Sequence, residues 1–575
     1  MQARALFIRP FLNQPVCNKE YYSQKRMRWK LWLIRIGFSL TFLGLLVNLY
    51  RIQILHGAYY IDKADAQQQA LDNLSASRGI IYFTDKNGTQ IPAVMNKEYP
   101  TIYAVPTEIK DPATAAHLLA PLFNRNEAAL AKTFARPGDE YELLAAKGTD
   151  QQVNQVQALN LKGVYIRQAT FRFYPFGTMA SQLLGYVTQQ QDGTSKGMYG
   201  LESQFNSELS GKDGYMAGNT IFKAQNGQDI HTTIDFTIQA QAENVLADMV
   251  KKWHATGGSI VVEDPYTGNI LTMASYPDFD PNNYGSANID DFINPVVQKL
   301  YEPGSVFKPL TMTAGIDTGK ITPDTTYMDT GSDTINGYTI HDWDLKAHGL
   351  TTMRGVIEQS LNLGTIFAEK TMGDAIFRDY VQRFGLGQKT GIDLPGELAG
   401  NIKHVISGRP VDYATASFGQ GISVTPLQMM SAFSAIANGG LLLKPQILAG
   451  QQPQVIRRVA SENTEQQVVS MMVSAVNVNV LARVDGYNVA AKSGTAYIPD
   501  FVHGGYTKNV IDTFMGFAPA YHPKFVLMVK LNDPLDAPLS GTAVVPTWQQ
   551  MATFILNYYQ VPPDALTASS SPSHP

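Results

Sequence analysis

Cysteine is nearly absent from this chain of 575 residues, with Cys17 as its single example. One thiol excludes an intrachain disulfide and any site built from several cysteines, such as a structural zinc centre. It leaves the compartment open, because a domain with a large core needs no disulfide staple. Charge is scarce as well. Asp, Glu, Lys and Arg make up 16% of the residues, and 45 basic against 49 acidic side chains leave a formal net charge of −4. No long basic run follows the first 35 residues, so the electrostatic footprint of a nucleic-acid-binding protein is missing. Few charges and many aromatics suit large buried surfaces rather than disorder. The length exceeds one ordinary core, which predicts two or three domains.

Long apolar runs are also rare, which makes the one near the start informative. Ile36 to Tyr50 is almost wholly apolar, and Leu31–Ile34 and Ile52–Leu55 extend it. About 20 such residues span a bilayer as a helix. Arg35 and Arg51 sit near the ends, where long side chains can snorkel. Lys25, Arg26, Arg28 and Lys30 precede the run, and the positive-inside rule places them in the cytoplasm. No small-x-small cleavage site follows, and the run is longer than a signal-peptide core. The expectation is a cytoplasmic tail over 1–30, a single membrane helix over 31–55, and everything else outside.

Residues 56–230 have a mixed texture. Short β-type runs (GIIYF, TIYAV, GVYI) alternate with Ala/Leu-rich helical stretches such as Ala113–Ala120. Asp85-Lys86-Asn87-Gly88 predicts a hairpin turn. No nucleophile, metal cluster or phosphate loop stands out, so this region reads as structural. The texture changes at His231. In TTIDFTIQAQAENVLADMVKKW, Ile234, Ile238, Ala242, Val245 and Met249 recur at helical spacing, with Thr233 or Asp235 as the cap. SIVVEDPYTGNILTMAS predicts an antiparallel hairpin. YNVAAKSGTAY, DTFMGFAPA and KFVLMVKL predict three more strands, and PTWQQMATFILNYY a closing helix. Strands at both ends of a helical block imply an α+β domain over 231–562, a five-stranded antiparallel sheet flanked by helices. The polar residues 563–575 predict a disordered tail.

The chemistry centres on Tyr301-Glu302-Pro303-Gly304-Ser305-Val306-Phe307-Lys308. Pro-Gly interrupts the chain, so a helix is predicted to start at Ser305. Three residues on, Lys308 shares a helix face with the Ser305 hydroxyl. A serine is a weak nucleophile until a base takes its proton, and a buried lysine beside another cation can be neutral enough to do so. Alone, Ser-x-x-Lys is a weak signal, because chance supplies roughly one or two in such a length. Two partners strengthen it. Ser360-Leu361-Asn362 lies in GVIEQSLNLGTIFAEK, which reads as an amphipathic helix, whereas Ser286-Ala-Asn288 and Ser461-Glu-Asn463 lie in polar, loop-like stretches. Lys492-Ser493-Gly494-Thr495 lies in a strand context, whereas Lys389-Thr390-Gly391 lies in a loop context. On a strand, Ser493 and Thr495 point one way, suited to holding a substrate carboxylate, and Lys492 points the other way, beneath the serine–lysine pair. Gly494 is expected to admit a substrate backbone.

The three elements in this order form the signature of β-lactamases and penicillin-binding proteins. The chain resembles a class B penicillin-binding protein of the division (FtsI-like) and sporulation branch over nearly everything after the apolar run. Arg78-Gly79-Ile80 with Asp85–Gly88, Arg172-Phe-Tyr-Pro175, Gly185-Tyr186-Val187 and Gly197-x-x-Gly200-Leu201-Glu202 resemble the family's non-catalytic boxes. Phe418–Gly421 with Thr425–Gln428 resembles a transpeptidase segment, and Gln182 departs from the histidine frequent in the family. The resemblance implies an elongated pedestal domain, then a serine β-lactamase-like transpeptidase domain. Ser305 would attack D-Ala–D-Ala stem peptides. Lys308 would be the base, with Ser360 and Lys492 relaying protons and Asn362 holding the substrate amide. The N–H groups of Ser305 and Thr495 would form the oxyanion hole. Implied partners are nascent peptidoglycan, β-lactam antibiotics, a SEDS-family (FtsW-like) glycosyltransferase and other divisome membrane proteins; no metal or organic cofactor is implied.

Other readings remain open at this point. A β-lactamase is usually a small soluble domain without the first 230 residues seen here. A D,D-carboxypeptidase differs only in using water as acceptor, and a catalytically silent scaffold would keep the fold. A β-lactam sensor would carry several spans, and a bifunctional enzyme an acidic module upstream. Glu263-Asp264, the only Glu-Asp pair, falls within the serine domain.

Overall fold

The computed structural model describes residues 19–56, 59, 75–189, 195–217, 220–480, 482–500, 503–535 and 539–565. Cys17, the side chains of Lys25, Arg26 and Arg28, and most of the polar tail expected over 563–575 lie outside the described residues. The chain divides into two compact units, Met1–Ser75 with Asp213–Ala224, and Ala76–Lys212 with Gln225–Pro575.

In the first unit, α1 (Lys19–Tyr50) runs into a π-helical turn over Arg51–Leu55. Trp29–Leu55 is the one segment among the described residues long and apolar enough to cross a membrane, with a mean hydropathy of 1.7 and none of it buried. A small hairpin, Tyr215–Ala217 against Thr220–Phe222, completes this unit.

The second unit holds two five-stranded sheets. The first contains β1 (Ile81–Thr84), β2 (Gln90–Ala104), β3 (Glu142–Ala145), β4 (Val164–Phe173) and β5 (Ile230–Asp235). β1 and β2 form the predicted hairpin, and Asp85 Oδ1 accepts from the N–H groups of Asn87 and Thr89. Gly88 takes a φ of +83° there, which a side chain disfavours. β2 and β4 are far longer than the short runs expected, and pair over ten residues from Met95–Phe173 to Ala104–Val164.

The helix expected from Thr232 starts later. Residues 230–235 form β5, parallel to β1, and α2 spans Phe236–Lys252. Asp235 caps it, accepting from Thr237 N and Ile238 N. Ile234 therefore belongs to a strand, because pairing with a segment some 150 residues earlier overrides the local period.

The second sheet comprises β6 (Gly257–Glu263), β7 (Ile270–Tyr276), β8 (Ala490–Pro499), β9 (Tyr506–Ala518) and β10 (Phe525–Asn532). All its pairings are antiparallel, in the order β7-β6-β10-β9-β8. β6 is buried at every position, and its centre, Ile260–Val262, is apolar throughout. One face presents Val261, Met515 and Met528 to the helical block. The other presents Ile260, Phe514, Leu527 and Val529 to α2 and the closing helix. β8 is an edge strand, paired on one side only.

The helical block includes α3 (Lys308–Asp317), α4 (Met353–Gln359), α5 (Asn362–Met372), α6 (Pro426–Ala437) and α7 (Glu462–Asn479). The short α8 (Ser540–Ala543) and the closing α9 (Val545–Tyr558) follow the sheet. Trp548 of α9 is fully buried, with its Nε1 donating to Leu527 O at 2.9 Å.

Candidate active site

Two buried clusters of cations stand out in the second unit. The first joins the segments around residues 78, 172 and 202. Glu202 is fully buried and takes Arg78 Nε at 2.7 Å on one oxygen and Arg172 Nε at 2.6 Å on the other. Arg172 Nη1 also donates to Asn96 Oδ1, and Asn96 Nδ2 to Arg78 O. Here every cation faces a carboxylate. Nearby, Gln182 Nε2 donates to Pro277 O at 2.6 Å and Asp291 O at 3.2 Å, tying its short helix to the segment after β7.

The second cluster gathers the predicted serine–lysine residues. Gly304–Phe307 is a 3-10 turn that leads directly into α3, so the predicted helix start at Ser305 takes the tighter form first. Ser305 is half-buried between buried neighbours. Lys308 is fully buried, and its Nζ donates to Ser360 O at 2.5 Å, Asn362 Oδ1 at 2.9 Å and Ser360 Oγ at 3.3 Å. These contacts go to the second motif; among the described residues no hydrogen bond joins Lys308 to Ser305.

The second motif is not one helix. α4 ends at Gln359, Ser360 adopts a left-handed conformation (φ +58°), and α5 begins at Asn362. Apolar periodicity on both sides hides the break. The left-handed turn is a strained state for a residue other than glycine, a form of strain that clusters at functional sites. It aims both the carbonyl and the hydroxyl of Ser360 at Lys308. Asp342 holds the start of α5, accepting from Asn362 N and from Leu363 N at 3.1 Å.

The third motif lies on β8 as predicted. Lys492 is 4% exposed, and its Nζ donates to Ser360 Oγ at 2.8 Å and to Ser493 O at 2.9 Å. Lys308, Ser360, Asn362 and Lys492 are thus joined in one network. Two expectations change. A Cβ at Gly494 would lie 3.0 Å from Val306 N and 3.1 Å from Pro303 O, so this glycine lets β8 close on the serine turn rather than clearing room for a substrate. The Thr495 hydroxyl is already engaged, donating to Asp512 Oδ1 at 2.8 Å and accepting from Ser540 N at 3.2 Å. Ser493 is half-buried on the same face.

Among the described residues no carboxylate lies within ion-pair distance of Lys308 or Lys492. Burial pushes the Lys308 pKa well below the usual lysine range; the charge of Lys492 lowers it further, and Asp342 opposes. Burial lowers Lys492 to about 7. A neutral Lys308 has two hydrogens and one lone pair. Ser360 O and Asn362 Oδ1 take the hydrogens, which frees the lone pair to act as a base.

The decoy motifs are all turns or caps. Thr390 and Gly391 wrap their N–H groups around Glu397, Ser461 caps α7, and Asn288 opens a 3-10 turn. Among the described residues no three His, Cys, Asp or Glu side chains gather as a metal site requires. Sequence reasoning passed over Asp342 and Asp512. For Asp512 the signal was a charge at the head of the apolar run DTFMGFA; for Asp342 no local pattern marks it.

Residues 258–549 match the penicillin-binding protein transpeptidase domain, and 73–240 the penicillin-binding protein dimerisation domain. Stage V sporulation protein D of Bacillus subtilis is 33% identical over 497 residues, covering 80% of this chain and 75% of that protein. The peptidoglycan D,D-transpeptidase FtsI of Escherichia coli is 29% identical over 566 residues, covering 94% and 93%. A peptidoglycan synthetase structure from Bifidobacterium adolescentis aligns with a TM-score of 0.66 at 29% identity, covering 86% of this chain and 97% of its own. The fold is also that of penicillin-binding protein 2X from Streptococcus thermophilus, with a TM-score of 0.68, 24% identity, and 84% and 80% covered.

Proposed function

Since this chain belongs to the class B penicillin-binding protein transpeptidase family, we propose that it is a serine-type peptidoglycan D,D-transpeptidase with Ser305 as its nucleophile. The observation that carries this is the pair of buried lysines without counter-ions around Ser360, one of which, Lys308, opens the helix that follows the half-buried Ser305.

Lys308 takes the Ser305 proton as the hydroxyl attacks the penultimate D-Ala carbonyl of a stem peptide. The N–H groups of Ser305 and Thr495 receive the developing oxyanion; one such donor contributes about 3 kcal/mol. The terminal D-Ala leaves with a proton relayed through Ser360, whose hydroxyl is held by Lys492. The amine of a second stem peptide then attacks the acyl-enzyme and restores Ser305. β8, as an open sheet edge, suits an extended donor peptide added as a further strand, with Asn362 holding its amide. A β-lactam enters as a donor mimic and leaves Ser305 acylated. Trp29–Leu55 anchors the protein with its N-terminus in the cytoplasm and the catalytic domain outside. The family resemblance supports septal wall synthesis beside a SEDS-family glycosyltransferase and other divisome proteins.

The test is covalent labelling by a fluorescent penicillin. Wild type labels and Ser305→Ala does not. Labelling that survives the substitution would sink the assignment of Ser305, and a folded wild type that stays unlabelled would favour a silent scaffold. Stem-peptide dimers formed from donor and amine acceptor, against release of D-Ala by water alone, separate transpeptidase from carboxypeptidase.

A further inference from the structure

The strand beside the site holds an acid that this reaction does not use. Asp512 lies opposite Thr495 in the β8–β9 register and is fully buried. Its Oδ1 accepts the Thr495 hydroxyl hydrogen, while Oδ2 is buried with no hydrogen-bond partner among the described residues. Thr495 Oγ1 is held from the other side by Ser540 N, at the first residue of α8. A hydroxyl has a single hydrogen. With that hydrogen given to Asp512, Thr495 offers an incoming ligand only lone pairs, backed by a carboxylate.

We propose that Asp512 is a specificity-determining positioning residue whose protonation decides whether the Thr495 hydroxyl can donate to the carboxylate of a donor peptide or β-lactam. The proposal rests on the donor-binding role given to Thr495 and β8 above. When Asp512 is ionised, the hydroxyl hydrogen points inward, and a ligand carboxylate meets oxygen lone pairs. When a solvent proton binds Asp512, the acid O–H donates to Thr495 Oγ1, and the hydroxyl hydrogen turns to the cleft. Ligand binding and Asp512 protonation then favour one another, as linkage requires.

The surroundings leave Asp512 free to titrate. Burial raises its pKa to about 6, against the pull of the Thr495 hydrogen bond. Lys492 on β8 points away, to Ser360. Tyr506 and the exposed Lys508 lie toward the hairpin end of β9, and Tyr506 OH bonds Glu302. Lys530 of β10 pairs in register with Thr513, on the opposite face. Asp533 follows β10, α8 carries no ionisable side chain, and Tyr558 of α9 bonds Asp235. Lys492 titrates near the same range, so its share has to be separated.

The experiment uses the full-length chain in detergent micelles and measures acylation rates by benzylpenicillin and by its methyl ester, which lacks the carboxylate. The readout is the acid-over-ester preference. In wild type it falls roughly tenfold from about pH 5 to about pH 8 as Asp512 ionises. In Asp512→Asn the preference near neutral pH rises by a similar factor, and only the fall due to Lys492 remains. Adding Thr495→Val to that variant erases the gain, because the effect passes through the hydroxyl. Acylation by the ester shows that each variant is folded. An Asp512→Asn protein with the wild-type preference at every pH overturns the inference alone, as does a gain that survives Thr495→Val. A wild type that neither compound acylates overturns the proposed function and this inference with it.

Discussion

Two buried clusters of positive charge, in the pedestal region and at the serine site, share depth but differ in company. Arg78 and Arg172 are 9% and 8% exposed and close on the two oxygens of Glu202. Lys308 and Lys492 are 0% and 4% exposed and meet only hydroxyl, carbonyl and amide oxygens. Desolvating a charge costs several kcal/mol unless a counter-ion or hydrogen bonds offset it. In the pedestal the offset is complete enough for guanidinium groups, which cannot shed their protons. At the serine site it is withheld, and the lysines respond by becoming poor proton carriers. One cluster locks three distant segments together; the other holds amines that give up their protons readily. Between these two clusters the counter-ion, rather than the depth, is what differs.

The largest expected effect comes from removing the reactive charge. Lys308→Met fills the same buried space with an apolar chain and eliminates the base, so acylation by a fluorescent penicillin should fall by about 10³-fold while thermal unfolding changes little. A Lys308→Met protein that acylates within tenfold of wild type would show that another group takes the proton. Breaking the locked cluster should give the reverse pattern. Glu202→Ala leaves two arginines buried and unpaired, at a cost of about 3–5 kcal/mol in unfolding free energy. The fraction that stays folded should acylate at the wild-type rate per site.

The comparison sharpens with pH. Lys308 serves as base only when neutral, so acylation rises as pH increases through its lowered pKa. Lys492 holds the Ser360 hydroxyl best when protonated, and with a pKa of about 7 it loses that proton above neutrality. The product is a bell with its alkaline limb near pH 7. Lys492→Arg, which stays charged, should remove that limb; an unchanged profile would separate Lys492 from the relay. The smallest effect is expected at the decoy. Lys389→Ala, in the loop wrapped around Glu397, should leave penicillin acylation within about twofold of wild type, a difference that marks a surface substitution.

Much of this was legible in the residues. β6, β7 and β10 read as apolar runs because they are buried almost throughout. The second and third predicted motifs stood out from their decoys by buried or strand context, and the first by the company of those two. What escaped notice depended on distant partners. Ile234 fits a helical stripe and a strand equally well, and only pairing with β1 decides. The break at Ser360 lacks a glycine or proline to announce it. Gly494 reads as an opening for substrate until the Pro303–Val306 turn is seen to occupy that space. Asp342 and Asp512 acquire their roles from a helix end and a hydroxyl that lie elsewhere in the chain.

The parallel pairing of β1 with β5 also bears on how the molecule is made. A ribosome delivers residue 81 long before residue 230, so β1 must wait with one flank uncovered while some 150 intervening residues emerge. The hairpin with β2 protects only the other flank. Until β5 arrives, the nascent pedestal exposes an unpaired strand, an invitation to the wrong neighbour. Its completion coincides with the start of α2, since Asp235 ends β5 and caps that helix. Completion of that sheet and the first turn of α2 are thereby tied to the same moment of synthesis.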